Sequence, residues 1–260
     1  MFKNFHNYHL LKVVQQVNFW GMFVGIAVLF LVGEWYHYVL TILAILCISK
    51  VGHSIGQHRF FCHKAFKTGK LREKFITIMA TLSTTSSVIH YASVHRYHHA
   101  NSDKETDLHD PQRLGFLKTF FLFMPHNSLD RISPRIIKDL LKDKFVMFCH
   151  NWYWPIISSY VIFLLLVDPI LIVYCYIIPA GYSKFISGVQ LTFVHYIGYR
   201  NFETSDNSTN SLFWNWVTLG EGLHNNHHAR PGEYRFDFTK KSGEFDFAGF
   251  LIEKLLVTKT

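Results

Sequence analysis

Residues 13–49 read VVQQVNFWGMFVGIAVLFLVGEWYHYVLTILAILCIS, with a single acid, Glu34, and no Lys or Arg. A bilayer core needs ~20 apolar residues per crossing helix, so this run is long enough for two. Its one charge sits near the middle, in the turn signal VGEW, which reads as a tight loop between two spans. Residues 145–183 repeat the pattern, with Asp168 alone in the turn signal VDPI. A buried helix pair in a soluble core is the competing reading, but uncharged runs of this length are uncommon in soluble domains.

Topology follows from the charges. Both turns lack positive charge, and all 26 Lys and Arg fall outside the two runs, on the side of the termini. The positive-inside rule places that side in the cytoplasm. The expected fold class is an all-α integral membrane protein with four transmembrane helices in two hairpins, roughly 14–33, 35–52, 148–167 and 169–190. A cytoplasmic helical cap carrying the chain's histidine-rich segments is expected, and the whole of 1–260 is expected to form a single domain. The start, MFKNFHNYHLLKVV, carries no cleavage-site pattern, so no removable signal is expected. The net charge of +8 is explained by topology and does not call for nucleic acid. Cys47, Cys62, Cys149 and Cys175 lack C-x-x-C spacing and are expected as reduced thiols.

Two further segments read as surface helices, the first at the membrane interface and the second either there or packed on the same domain. Residues 71–94, apolar but rich in Ser and Thr, read as a helix lying at or dipping into the interface. SPRIIKDLLKDKFVMF, residues 133–148, reads as an amphipathic helix with Ile136, Ile137, Leu140, Leu141 and Phe145 on one face.

The chain has 17 histidines. His95, His98 and His99 stand at i, i+3 and i+4, and so do His224, His227 and His228, a spacing that gathers three rings on one helical face. His53 and His58 are five apart, ~140° around an ideal α-helix. They share a face only if the helix ends between them, as Gly52 and Gly56 would permit. His53, 19 residues past Glu34, emerges ~28 Å along a helix, at the cytoplasmic interface. His195, 27 residues past Asp168, adds a ring beyond the fourth span. Neutral imidazole is the commonest metal ligand, and eight or nine exceed what one tetrahedral zinc needs. Two metals of intermediate softness fit, and iron fits if dioxygen is to be activated. His63 and His109 are placed as outer hydrogen-bond partners, with Asp107 and Glu221. His90 is grouped with them. His6, His9, His37, His126 and His150 are read as surface or interface residues.

These motifs resemble the membrane-bound fatty acid desaturases, in the stearoyl-CoA-type acyl-CoA branch. HSIGQH, HRYHH and HNNHH match the three histidine boxes in order, and GEGLHNNHH, HYIGYRNFETSDNSTN and ETDLHDP resemble flanking segments. The resemblance implies a di-iron site ligated by His53, His58, His95, His98, His99, His195, His224, His227 and His228. It also implies dioxygen as co-substrate, with electrons from NAD(P)H through a reductase and a separate cytochrome b5 or ferredoxin carrier. The reaction would place a cis double bond, most often at the ninth carbon, in a saturated acyl chain carried on CoA. No fused cytochrome domain is expected. The chain departs from the family where it has Leu191 in place of a common Asn, and where Leu108 interrupts the acidic segment. Arg59, Arg96 and Arg200, with Lys64, are candidates for holding an acidic carrier, and a lipid-headgroup contact or a structural ion pair is an equal reading of each. A bacterial inner membrane is expected, or the endoplasmic reticulum in a eukaryote. A lipid hydroxylase or ketolase uses the same metal logic. A metal transporter would hold its ligands near the bilayer midplane, not outside it.

Overall fold

The computed structural model describes residues 8–121 and 132–257, which leaves His6 and His126 outside the described residues. Every named element is helical. Short backbone pairings at Tyr199–Asn210 and Asn210–Leu223 are the only extended ones among the described residues. The chain divides into two compact units, one drawn from 1–57, 74–91 and 137–185, the other from 58–73, 92–136 and 186–260.

The first unit is built on long apolar rods. Helix α1, Tyr8–Val32, ends where Gly33 precedes Glu34. Glu34 starts α2, Trp35–Cys62, and its backbone N–H donates to Nδ1 of His37 at 3.0 Å. His37 is therefore not a surface residue: it is buried and lies 4.8 Å from the Tyr174 ring. Helix α2 does not end at its glycines. From Ile45 it continues with π-helical hydrogen bonding to Cys62. Gly52 and Gly56 serve close packing instead. A Cβ at Gly52 would lie 2.3 Å from Met79 O, and one at Gly56 would lie 2.8 Å from Ile76 Cγ2.

Residues 71–94 do not form one interfacial helix. Helix α3, Lys70–Leu82, and helix α4, Val88–Asn101, are separated by a buried Ser/Thr turn. Thr84 there takes the left-handed conformation (φ 57°), and Ser83 Oγ donates to Ala80 O at 2.7 Å. Ser and Thr hydroxyls offer the backbone local alternatives to helical bonding. The amphipathic helix expected at 133–148 is likewise broken. Two single turns, Pro134–Ile137 and Leu140–Lys142, lead to Asp143, whose carboxylate accepts from the N–H groups of Phe145 and Val146. That capping starts a new helix.

After the short second-unit helices α5, Pro111–Leu114, and α6, Phe116–Phe121, come α7, Lys144–Asn151, and α8, Tyr153–Val167, bent by 70° at Trp152. Pro155 explains the break: it lacks the N–H that would bond to Asn151 and its ring crowds that carbonyl. Helix α8 alone is 15 residues, ~22 Å, shorter than the ~30 Å hydrocarbon core. Helix α9, Ile170–His195, follows the Asp168–Pro169 turn. Among the described residues, three helices are therefore long and apolar enough to cross a membrane, and four if α7 and α8 count as one broken span. The interior of the unit packs Leu11, Met22, Leu29, Ile48, Tyr153, Ile157, Leu164, Tyr174 and Ile178. Its outward faces show Phe30, Leu31, Trp35 and Leu166 at 73–82% exposure, as expected where the solvent is lipid. The second unit is completed by α10, Leu212–Thr218, α11, His224–Ala229, and α12, Phe247–Leu251. None of the four cysteines is in a disulfide.

Candidate metal centre

All but one of the histidines singled out as ligands fall in the second unit. The end of α2 supplies His58, and His63 follows one residue after its last turn. In π-helical bonding, residues five apart are hydrogen-bonded neighbours, so the two rings reach the same side. Helix α4 supplies His95, His98 and His99, and α11 supplies His224, His227 and His228. His195 ends α9.

The rings sort into two groups. The ligand atoms of His58, His63, His95, His99 and His227 lie within 4.8 Å of one another, and so do those of His98, His195 and His228. His224 joins the second, with its Nε2 3.0 Å from Nε2 of His228. The two triplets are shared in opposite senses. Helix α4 gives its i, i+4 pair, His95 and His99, to the first group and His98 to the second. Helix α11 gives its i, i+4 pair, His224 and His228, to the second and His227 to the first. An i, i+4 pair is ~40° apart, while the residue between points off to the other side of the same face.

His53 is the exception. It lies in the first unit, with Nδ1 3.0 Å from Gln57 Oε1 and its ring edge-on to Tyr91. His63, expected as an outer partner, stands inside the first group. The segment H-S-I-G-Q-H-R-F-F-C-H offers two overlapping H-x4-H frames, 53–58 and 58–63, of identical spacing. Spacing alone does not choose between them. His90 and His150 also lie in the first unit, both buried, with Nδ1 of His150 2.8 Å from Ser87 Oγ.

Four carboxylates take the Nδ1 protons of these rings: Glu221 from His58 (2.9 Å), Asp107 from His98 (3.0 Å), Asp103 from His195 (3.2 Å) and Asp206 from His228 (2.7 Å). This fixes the tautomer and leaves each Nε2 lone pair facing inward. Asp107 and Glu221, expected as outer partners, thus each bond a ring nitrogen, and Asp107 also accepts from the His109 backbone N–H at 2.9 Å. Asp103 and Asp206 were not singled out from sequence, although Asp206 lies in the TSDNS run already noted for its resemblance.

Burial, together with neighbouring rings, holds His63, His95, His99, His224 and His227 well below the usual histidine range. Burial lowers His228 to about 4 against the pull of Asp206. These are neutral imidazoles. His98 goes the other way: burial opposes its charge, but Asp107 outweighs burial and raises it.

The contacts within the first group are not ordinary hydrogen bonds. Nε2 atoms face one another at 2.9 Å (His63–His95), 3.1 Å (His95–His99), 3.1 Å (His99–His227) and 3.0 Å (His227–His58). Each ring nitrogen offers one proton or one lone pair. His95, His99 and His227 would each need two such contacts at one atom. A shared cation removes the conflict. Nitrogens in adjacent positions ~2.1 Å from a metal stand ~3.0 Å apart. In the second group, Nε2 of His98 and of His195 are buried with no hydrogen-bond partner, as ligand atoms would be. The donor set fits a pair of cations of intermediate softness.

The arginines expected to hold an acidic carrier are engaged internally. Arg59 is buried, paired with Glu221 and Asp246. Arg96 donates to the carbonyls of Phe61, Cys62 and Ile136, and Arg200 to those of Thr204 and Asp206. The position four residues before His195 is Leu191, buried. The adjacent Gln190 donates to Glu221 Oε2 at 2.7 Å.

The sequence model for fatty acid desaturases matches residues 33–237. A "sn-1 stearoyl-lipid 9-desaturase" of Anabaena variabilis is 28% identical over 232 residues, 83% of this chain and 80% of that protein. A protein of Schizosaccharomyces pombe named "Probable acyl-CoA desaturase" is 31% identical over 202 residues, 72% of this chain but 41% of its own length. A second "sn-1 stearoyl-lipid 9-desaturase", from Synechocystis, is 31% identical over 242 residues, 88% of this chain and 67% of that protein.

Proposed function

The chain belongs to the fatty acid desaturase family, and we propose that it is an oxidoreductase that uses dioxygen to place a cis double bond at the ninth carbon of a saturated fatty acyl chain. The observation that carries this is the gathering of nine buried or half-buried imidazoles into two groups, His58, His63, His95, His99 and His227 in one and His98, His195, His224 and His228 in the other. We propose these nine as ligands of two irons, with His63 taking the place assigned to His53. When bound, two irons supply the reductive activation of dioxygen that removal of hydrogen from an unactivated methylene pair requires. The protein's own part is to present neutral nitrogens, to hold their tautomers through Glu221, Asp103, Asp107 and Asp206, and to keep the groups dry.

The further parts of the reading rest on sequence. Four spans, with α7 and α8 as one broken crossing, put both termini and the metal groups on the cytoplasmic side, where the positive charge lies. Electrons come from NAD(P)H through a separate cytochrome b5-type or ferredoxin-type carrier. The acyl carrier is CoA or a glycerolipid, since relatives are named for each.

The test is the fatty-acid profile of cells expressing the chain together with an electron donor, by gas chromatography after derivatisation that locates double bonds. Lipid and acyl-CoA fractions are analysed separately. A new cis-monoenoic acid is expected, and the fraction in which it first appears identifies the carrier. A hydroxy acid instead would overturn the desaturase reading.

A further inference from the structure

Two of the four carboxylates behind the histidines, Asp107 and Asp206, are held by groups within four residues of themselves, and Asp103 by a backbone N–H 104 residues away. Asp103 accepts from the Asn207 N–H, Asp107 from the N–H groups of Asp103 and His109, and Asp206 from Ser208 and Thr204. Glu221 is held differently. Its Oε2 takes His58 Nδ1–H at 2.9 Å and Gln190 Nε2–H at 2.7 Å, while Oε1 takes Arg59 Nη2–H at 3.0 Å. The same guanidinium reaches Asp246 Oδ2 through Nη1 at 2.5 Å and Tyr234 O at 2.8 Å. It lies 3.7 Å from the centre of the Phe236 ring. Asp246 in turn accepts from the N–H groups of Phe236 and Gly249. Arg59, Glu221 and Asp246 are at most 1% exposed.

A guanidinium this deeply buried is costly unless paired on every side. With two carboxylates it is shared: one edge on Glu221, the other on Asp246. Without the Asp246 charge, Arg59 has one anion left and is drawn onto both oxygens of Glu221. It then competes with His58 for Oε2, the oxygen that fixes the imidazole. Asp246 lies nine residues past the end of the family match at 237. Phe236, held by Asp246, packs against the His227 ring at 4.6 Å and the His58 ring at 5.9 Å.

We infer that Asp246 is a positioning residue for the five-histidine group, acting through Arg59 and Glu221 to set the tautomer and aim of His58. This rests on the reading of His58 as a metal ligand. The consequence is selective: the five-histidine group depends on Asp246, and the four-histidine group does not.

The test uses the full-length protein in detergent, loaded with ⁵⁷Fe and read by iron content and Mössbauer spectroscopy. Asp246→Asn is expected to weaken one of the two iron positions about 10- to 100-fold, leaving the other occupied and its signal unchanged. Asp246→Glu is expected to restore both. Glu221→Gln is expected to affect the same position as Asp246→Asn, with the double variant no worse than the more severe single. Arg59→Lys, which keeps a charge but cannot span both carboxylates, is expected to reproduce the loss and serves if Asp246→Asn does not fold. Equal loss from both positions, or wild-type iron retention in Asp246→Asn and Arg59→Lys, overturns the inference. Wild-type protein that binds no iron, or a His63→Ala variant that loses none, would instead overturn the metal reading beneath it.

Discussion

Nε2 of His63 lies 2.9 Å from Nε2 of His95, in a group whose ligand atoms converge within 4.8 Å. That contact favours the later of two overlapping frames of one motif. His53, one frame earlier, bonds Gln57 and sits in the other unit. His63→Ala is therefore expected to lose bound iron and to lower desaturation below about a hundredth. His53→Ala gives up a buried hydrogen bond, on the order of 1 kcal/mol, and keeps its iron. Iron per chain, measured on both purified variants, decides the frame: iron lost from His53→Ala and retained in His63→Ala would restore the earlier one. His227→Ala is expected to behave as His63→Ala does.

The outer carboxylates give a second prediction. Asp206 holds Nδ1 of His228 at 2.7 Å and is itself fixed by Ser208 Oγ at 2.5 Å. Asp206→Asn removes the charge and leaves an amide of the same shape. Iron affinity at the four-histidine group should fall about 10- to 100-fold, with the five-histidine group unaffected. Competition against a chelator of known affinity measures this. An unchanged affinity would mean that Asp206 serves the loop and not the metal.

A third prediction concerns the metal-free protein. Six buried or half-buried histidines, His63, His95, His99, His224, His227 and His228, are held below their usual range. Between the unfolded value of about 6.5 and the lowered folded values, the unfolded chain binds protons that the folded chain refuses, so stability falls as pH falls. For His228, lowered to about 4, the effect approaches about 3 kcal/mol once pH drops below the folded value. His98 is raised and opposes this, contributing stability at low pH that is lost as pH rises. Six against one, the chelated protein should melt at lower temperature at pH 5.5 than at pH 7.5. A higher melting temperature at pH 5.5 would show that the rings carry charge when metal-free.

Much of this was legible in the residues, for reasons that differ by element. The rods α1, α2 and α9 follow from charge-free length. The break at Trp152 interrupts the span expected over 148–167, where Pro155, with its missing N–H, uncouples α7 from α8. Breaks at Thr84 and Asp143 were harder to see, because Ser, Thr and Asp are tolerated inside helices and only their bonding here ends them. The triplets were visible from spacing as rings gathered on one helical face. Their opposite sharing between two groups was not, since it depends on how α4 faces α11. Asp246 left no signal near any histidine: it acts from 25 residues past Glu221 through a buried arginine.

The fourth prediction tests helix packing in the first unit. Gly21 and Gly25 stand four apart on α1, facing α9. A Cβ at Gly21 would meet Ile177 Cγ2 at 2.8 Å, and one at Gly25 would meet Val173 Cγ1 at 2.8 Å. On the opposing helix, a Cβ at Gly181 would lie 2.2 Å from Asn18 O. Close approach of backbones across small residues is how helices associate in lipid, where burial from water supplies no drive. The three sites differ in what must move. An isoleucine or valine methyl can shift by rotamer, so Gly21→Ala and Gly25→Ala should cost about 1 kcal/mol or less. A backbone oxygen cannot shift without displacing its helix, so Gly181→Ala should cost about 1–3 kcal/mol. Thermal melting in one detergent should therefore rank Gly181→Ala lowest, by several degrees. Because α9 ends in His195, iron retention on warming should fall in the same order. Equal melting of all three variants would mean that α1 and α9 do not approach through these glycines.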